Sequence, residues 1–224
     1  METRRLRRQL KSCLIHSALA FALVLAPGTG WAGASKGNPM VTLNDPAASR
    51  AERIKAAKAL ADSKDPQAID ALVKQLAIMD ESVVVAIKSA LRTLNAVPLL
   101  EQRLANSGAS EEHKVLACTG LRVLKEKSSI PPLVSALKDS SARVRKEAAL
   151  ALGVIAPAEA EAALLTALSD SDEDVRYFAA DALGSVRTAT VMQAIETRLA
   201  AETSPVVRSA LLAAKNKLDR APSR

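Results

Sequence analysis

Val144–Ile155 reads VRKEAALALGVI, and Val175–Val186, 31 residues later, reads VRYFAADALGSV. Self-similarity at a fixed step of that size marks an array of small units, none able to bury its apolar side alone. Weaker copies lie at Glu52–Ala61 (ERIKAAKALA), Val83–Leu94 (VVVAIKSALRTL), His113–Leu124 (HKVLACTGLRVL) and Val207–Leu218 (VRSALLAAKNKL). One leucine column runs through five copies: Leu60, Leu91, Leu121, Leu152 and Leu183. Lys215 takes that place in the last copy, a departure suited to a terminal, partly exposed helix.

The other half of each unit carries a second column, Leu76, Leu104, Leu137, Leu168 and Leu199. Four residues before each stands Leu72, Leu100, Leu133, Leu164 or Ile195. A four-residue step puts both side chains on one helical face. β-Branched residues do not alternate, and Ala and Leu dominate, so each unit reads as two amphipathic helices. Punctuation agrees. Asp65-Pro66 and Ser204-Pro205 set a capping side chain before a proline, and Pro98, Pro131 and Pro157 fall near the starts of second helices. Ser110 with Glu111 and Glu112, and Asp172 with Glu173 and Asp174, put acids where the helix dipole favours them. The alanine pairs Ala56-Ala57, Ala148-Ala149 and Ala179-Ala180 share a column and let neighbouring helices approach closely. The predicted units are about 48–78, 82–105, 111–138, 142–169 and 173–200, with a closing helix at 205–218 inside a repeat domain 48–220.

Residues 1–34 read as an export signal. Arg4, Arg5, Arg7, Arg8 and Lys11 form a basic start, Ala18–Ala26 is a short apolar run, and Ala32-Gly33-Ala34 is a small-residue cleavage pattern. The run is too short for a membrane span, so cleavage after Ala34 and a periplasmic or secreted chain without an integral span are expected. Residues 35–47 read as a linker. The chain of 224 residues has 31 Lys and Arg against 24 Asp and Glu, but much of that excess sits in the leader. Past residue 34 the balance is 26 to 23, which does not mark a nucleic-acid binder. An apolar fraction of 49% rules out a disordered chain, and two cysteines rule out a disulfide framework.

Val144-Arg145 and Val175-Arg176, each followed by an alanine pair and Ala-Leu-Gly, resemble the HEAT repeat, most closely the short bacterial form named from phycobilisome lyases. The resemblance covers about residues 48–218, strongest in the fourth and fifth units. It implies an all-α fold, a right-handed α-solenoid whose second helices line a concave face, with protein binding or assembly as the usual task. Some HEAT-like enzymes hold di-iron through repeated His-Glu pairs; this chain has none.

An acid stands six residues before an arginine in three units: Asp139 and Arg145, Asp170 and Arg176, Glu202 and Arg208. These read either as a ligand-binding row or, preferably, as a structural ladder that pairs adjacent turns and caps helix ends. Cys118 falls in the small-residue column of Ala57, Ala149 and Ala180, a packing position rather than a nucleophile. Past the leader His113 is the sole histidine, which cannot build a His-rich metal site. Phe178 lies on the apolar stripe; Tyr177 lies off it and could anchor a partner. No glycine-rich phosphate loop, Ser/His/Asp set or catalytic carboxylate pair stands out. No catalytic, cofactor or metal residue is therefore assigned. The basic C-terminal residues Lys215, Lys217, Arg220 and Arg224 read as a solvated end.

The favoured expectation is a non-enzymatic exported scaffold that binds a protein or peptide through its concave face. Helical phase nominates Lys74, Gln75, Glu101, Arg103, Gln193 and Glu196 on second helices as contacts, with Tyr177 as anchor. Two alternatives are a bilin-lyase-like or other chromophore or enzyme accessory factor, and a self-associating structural envelope component.

Overall fold

Six serine or aspartate side chains set the rhythm of the fold. Ser49, Asp80, Ser110, Ser141, Asp172 and Ser204 each cap a helix by accepting a backbone N–H two or three residues on. At Ser49 the cap is reciprocal, because Glu52 returns a carboxylate to the Ser49 N–H. The computed structural model describes residues 37–76 and 80–220; the leader, its cleavage site and Arg224 lie outside the described residues.

The capped helices are α2 (Arg50–Asp62), α4 (Glu81–Thr93), α6 (Glu111–Leu124), α8 (Ala142–Ile155), α10 (Glu173–Leu183) and α12 (Pro205–Asp219). Between them run the second helices α3 (Gln67–Gln75), α5 (Ala96–Ala105), α7 (Ile130–Ala136), α9 (Glu161–Ala167) and α11 (Ala189–Ala201). A 3-10 turn, Lys127–Ser129, leads into α7. Among the described residues there is no strand, and the array is an α-solenoid. No single described helix is long and apolar enough to cross a membrane.

The leucine column of the first helices is buried throughout, from Leu60 to Leu183. Leu72, Leu100, Leu133, Leu164 and Ile195 are buried as well. Of the residues four positions later only Leu168 is buried; the others are half-buried at the margin. The core is thus one continuous stripe between the helix rows. The alanine pairs are fully or almost fully buried. At Gly153 a Cβ would lie 2.8 Å from the Ala182 Cβ, so α8 and α10 meet closer than a side chain allows.

The second helices α5, α7, α9 and α11 pack chiefly on the first helix of the following unit rather than on their own partner, while α3 divides itself between α4 and α6. That rule explains a helix in the stretch expected to be a linker. Residues Pro39–Asn44 form α1, with Asn38 as its cap, and α1 packs on α2 as the other second helices pack on their successors. It is half a unit, closing the N-terminal end of the stack with the fully buried Leu43. The Asp65-Pro66 start also differs slightly: α3 opens at Gln67, whose N–H donates to the Asp65 carboxylate.

Candidate functional site

The acid–arginine series forms a ladder, with a pairing the spacing of six does not show. The Arg145 guanidinium donates to the backbone carbonyls of Asp139 and Ser140, 3.0 and 3.1 Å away, and to both carboxylate oxygens of Asp170 in the next unit, at 2.7 and 2.8 Å. Arg176 repeats this with the carbonyls of Asp170 and Ser171 and the carboxylate of Glu202. Arg208, in the closing helix, donates to the carbonyls of Leu199 and Glu202. The acid six residues back therefore gives its carbonyl, while its carboxylate faces the preceding unit. Asp139 takes Lys114 in that way, at 2.8 Å.

Each carboxylate also accepts the backbone N–H two residues on, Asp139 from Ser141, Asp170 from Asp172 and Glu202 from Ser204. Burial pushes the Asp170 carboxyl up, but the bonds from Arg145 and the Asp172 N–H outweigh it and hold the group below its usual range. Glu202, whose side chain is wholly buried, is held at about 2 by Arg176, the Ser204 N–H and Arg198. These groups are mutually satisfied and occupy seams between units. Arg53 and Lys114 belong to the same series, although no acid stands six residues before either. Arg53 donates to the carbonyls of Asp45, Pro46 and Ala48. The missed signal is that Arg53, Lys114, Arg145, Arg176 and Arg208 all stand four residues after a helix cap.

The nominated contact residues separate. Gln193 is exposed on α11 and lines a groove of about 410 Å3 between α9 and α11, floored by Leu165, Leu168 and Ala194. Thr166 and Thr197 spend their hydroxyls on carbonyls of their own helices. Ser169, Thr190 and Gln193 make no side-chain hydrogen bond among the described residues. Glu196 is exposed but accepts from Lys215 at 2.6 Å. Lys74 is exposed, pairs with Glu112 at 2.9 Å, and borders a second groove of about 480 Å3 between α1 and α3.

The other four nominated side chains are engaged within the chain. Gln75 is buried, because α1 covers it and its amide donates to the Asn44 side chain. Arg103 forms an ion pair with Asp70, with little of either side chain exposed, and acts as a strut between the first two units. Glu101 accepts from Ser128 and from the buried Ser129, fastening the turn before α7. Tyr177 is half-buried, with its ring edge-on to Phe178 at a centroid distance of 5.1 Å. Phe178, expected on the apolar stripe, is half-buried there too. Burial raises the Tyr177 phenol above its usual value, with a lesser push from Asp181.

One constellation escaped the sequence. Ser110 Oγ lies 2.9 Å from His113 Nδ1, and His113 Nε2 lies 3.9 Å from Asp70. The three side-chain types of nucleophilic catalysis meet, yet Ser110 Oγ is the cap of α6 and Asp70 is committed to Arg103. The Asp–His distance exceeds a hydrogen bond, so Asp70 does not orient the imidazole as a base. Cys118 is fully buried, and burial drives its thiol far above the usual value, with Glu147 and Asp139 adding to the effect. Among the described residues no group of three or more His, Cys, Asp or Glu could hold a metal ion.

A family model described as HEAT repeats matches residues 97–160 and 130–215, and one described as PBS lyase HEAT-like repeat matches residues 52–77. No curated protein matches the chain. Among solved structures, the chain is similar to human deoxyhypusine hydroxylase in complex with glycerol, at 21% identity and TM-score 0.48, over 82% of this chain and 73% of that one. It is similar to a designed armadillo repeat protein in complex with the peptide (KR)4, at 22% identity and TM-score 0.45, over 81% and 99%. A third similarity is to the CpcE–CpcF complex of phycocyanin lyase from Nostoc sp. PCC7120, at 20% identity and TM-score 0.35, over 80% of each chain.

Proposed function

Because the chain belongs to the HEAT-repeat family, we propose that it is an exported, non-enzymatic scaffold that holds a protein or peptide partner against its row of second helices. The observation that carries this reading is the groove between α9 and α11. It offers an apolar floor with unspent polar groups at its edge, the combination that binds a polypeptide chain. The Gln193 carboxamide can donate to a peptide carbonyl and accept from a peptide N–H at once. The ladder side chains are spent on holding units together, and the thiol of Cys118 is shut away, which supports a binding role over a chemical one. The basic start, short apolar run and Ala32-Gly33-Ala34 support export to the periplasm or beyond.

A photo-crosslinking amino acid at Gln193 tests the face directly, with the exposed Ser209 on α12 as control. The expected result is an adduct with a second protein from position 193 and none from 209. Adducts only with copies of the chain itself would replace this reading with self-assembly. N-terminal sequencing of the chain recovered from the producing cell tests export, with Ser35 as the expected first residue.

A further inference from the structure

We propose that the solenoid bends at one built-in joint, between its second and third units. Along the row of first helices α2 packs on α4, α6 on α8, α8 on α10 and α10 on α12, but α4 barely touches α6. There α6 takes the second helices instead, packing on α5 and reaching back to α3.

The repeat columns explain why. Three residues before the leucine column stand Ala57, Cys118, Ala149 and Ala180, all fully buried, which let first helices meet. In the second unit that place holds Lys88, only half-buried. One residue after the leucine column the close contacts of Gly153 and Gly184 become the exposed Arg92. The ladder is missing as well. The base four residues after each cap is replaced by Val84, and the acid two residues before a cap, present as Asp139, Asp170 and Glu202, is replaced by Gly108 ahead of α6. No Arg–carboxylate strut of the Asp170 or Glu202 kind therefore joins α4 to α6, and the carboxylate that does cross the junction, Glu101 to Ser128 and Ser129, lies on the second-helix side.

What holds it lies on the other side. Gly120 of α6 has no side chain, and Leu100 and Val73 fill the space: a Cβ there would lie 2.8 Å from one and 3.2 Å from the other. The ion pair crossing near it, Lys74 with Glu112, is exposed and weak. Close contact on the second-helix side with little on the first-helix side makes a pivot. Flexing at Gly120 re-aims the partner-facing helices of units one and two against those of units three to five, while the laddered stack from α6 to α12 moves as a body.

Pulsed electron–electron resonance on the full chain tests this, with Cys13→Ser and Cys118→Ala removing the native thiols. Nitroxides are attached at Ser82→Cys and Arg143→Cys across the joint, and at Arg143→Cys and Val206→Cys within the stack. All three sites are exposed, two residues past a cap, and each pair spans two units. The expected distance distribution is about twofold broader across the joint than within the stack. Lys88→Ala with Val84→Arg and Gly108→Asp restores the small column and the rung, and should narrow the first distribution toward the second. Equal widths in the parent overturn the joint. A broad distribution that the triple substitution leaves unchanged overturns its assignment to these columns.

Discussion

Arg176 holds both carboxylate oxygens of Glu202, Nε to Oε2 at 2.9 Å and Nη2 to Oε1 at 3.1 Å, across the seam between the fifth unit and the closing helix. Glu202 is wholly buried at its side chain, and Arg198 completes its shell at 2.7 Å. Removing Arg176 strips two charge-assisted bonds from a buried carboxylate that keeps Arg198, so Arg176→Met should cost about 1.5–3 kcal/mol of unfolding free energy. The double variant with Glu202→Gln should recover part of that loss, because no under-paired carboxylate is then buried and the part-exposed Arg198 can turn to solvent. Urea unfolding of the two single variants and the double variant measures this. Simple addition of the single losses would show that the pair is not coupled.

The same geometry makes stability fall in acid. The folded-state value of Glu202 is depressed, about 2 against the usual 4.5, so below pH 4.5 the unfolded chain binds a proton that the folded chain refuses. Its contribution is therefore full above about pH 5 and is lost as pH falls toward 2, on the order of 3 kcal/mol in all. Asp139 and Asp170, held below their usual 3.8, act in the same direction. Melting temperature against pH should drop through this window, and Glu202→Gln should flatten the drop.

The unit plan could be read from the chain because period and burial coincide: the column Leu60 to Leu183 is the core, and each turn carries its own cap. What was hidden depends on contact between units. The ladder arginines stand six residues after their acids, yet their carboxylate partners belong to the next unit, 25 or 26 residues on. The six residues of α1 are too short to show a helical period, so the covering of Gln75 could not be foreseen. The α9–α11 groove is likewise a relation between neighbouring helices, and of the nominated residues only Gln193 lines it.

Leu152 is fully buried at the centre of the best-formed units. Leu152→Ala removes packed methyl groups and leaves a cavity between close helices that cannot collapse freely, at an expected cost of about 2–5 kcal/mol. A loss below about 0.5 kcal/mol in denaturant unfolding, the range of an ordinary surface change, would take this column out of the core.

Gly153→Ala sets two effects against each other. Alanine is the better helix former by about 1 kcal/mol, which taken alone would stabilise α8. The new Cβ, however, would lie 2.8 Å from the Ala182 Cβ and 3.3 Å from its Cα, atoms fixed to the α10 backbone that cannot swing aside. Overpacking of this kind costs roughly 1–3 kcal/mol, so net destabilisation is expected. A gain in melting temperature would mean that α8 and α10 slide apart easily.

Gln193→Ala separates binding from folding. The side chain is exposed and makes no hydrogen bond within the described residues, so its loss should change stability by less than about 0.5 kcal/mol. If its carboxamide bonds a partner backbone, the substitution removes one or two hydrogen bonds at a partly desolvated site, worth about 1–2 kcal/mol, or roughly 5- to 30-fold in Kd. Ser209→Ala, on the exposed side of the closing helix, should leave both quantities unchanged. Calorimetric titration of the crosslinked partner against the three proteins measures it. Equal affinities for the parent and Gln193→Ala would move the docking site off this groove while leaving the solenoid and its ladder untouched.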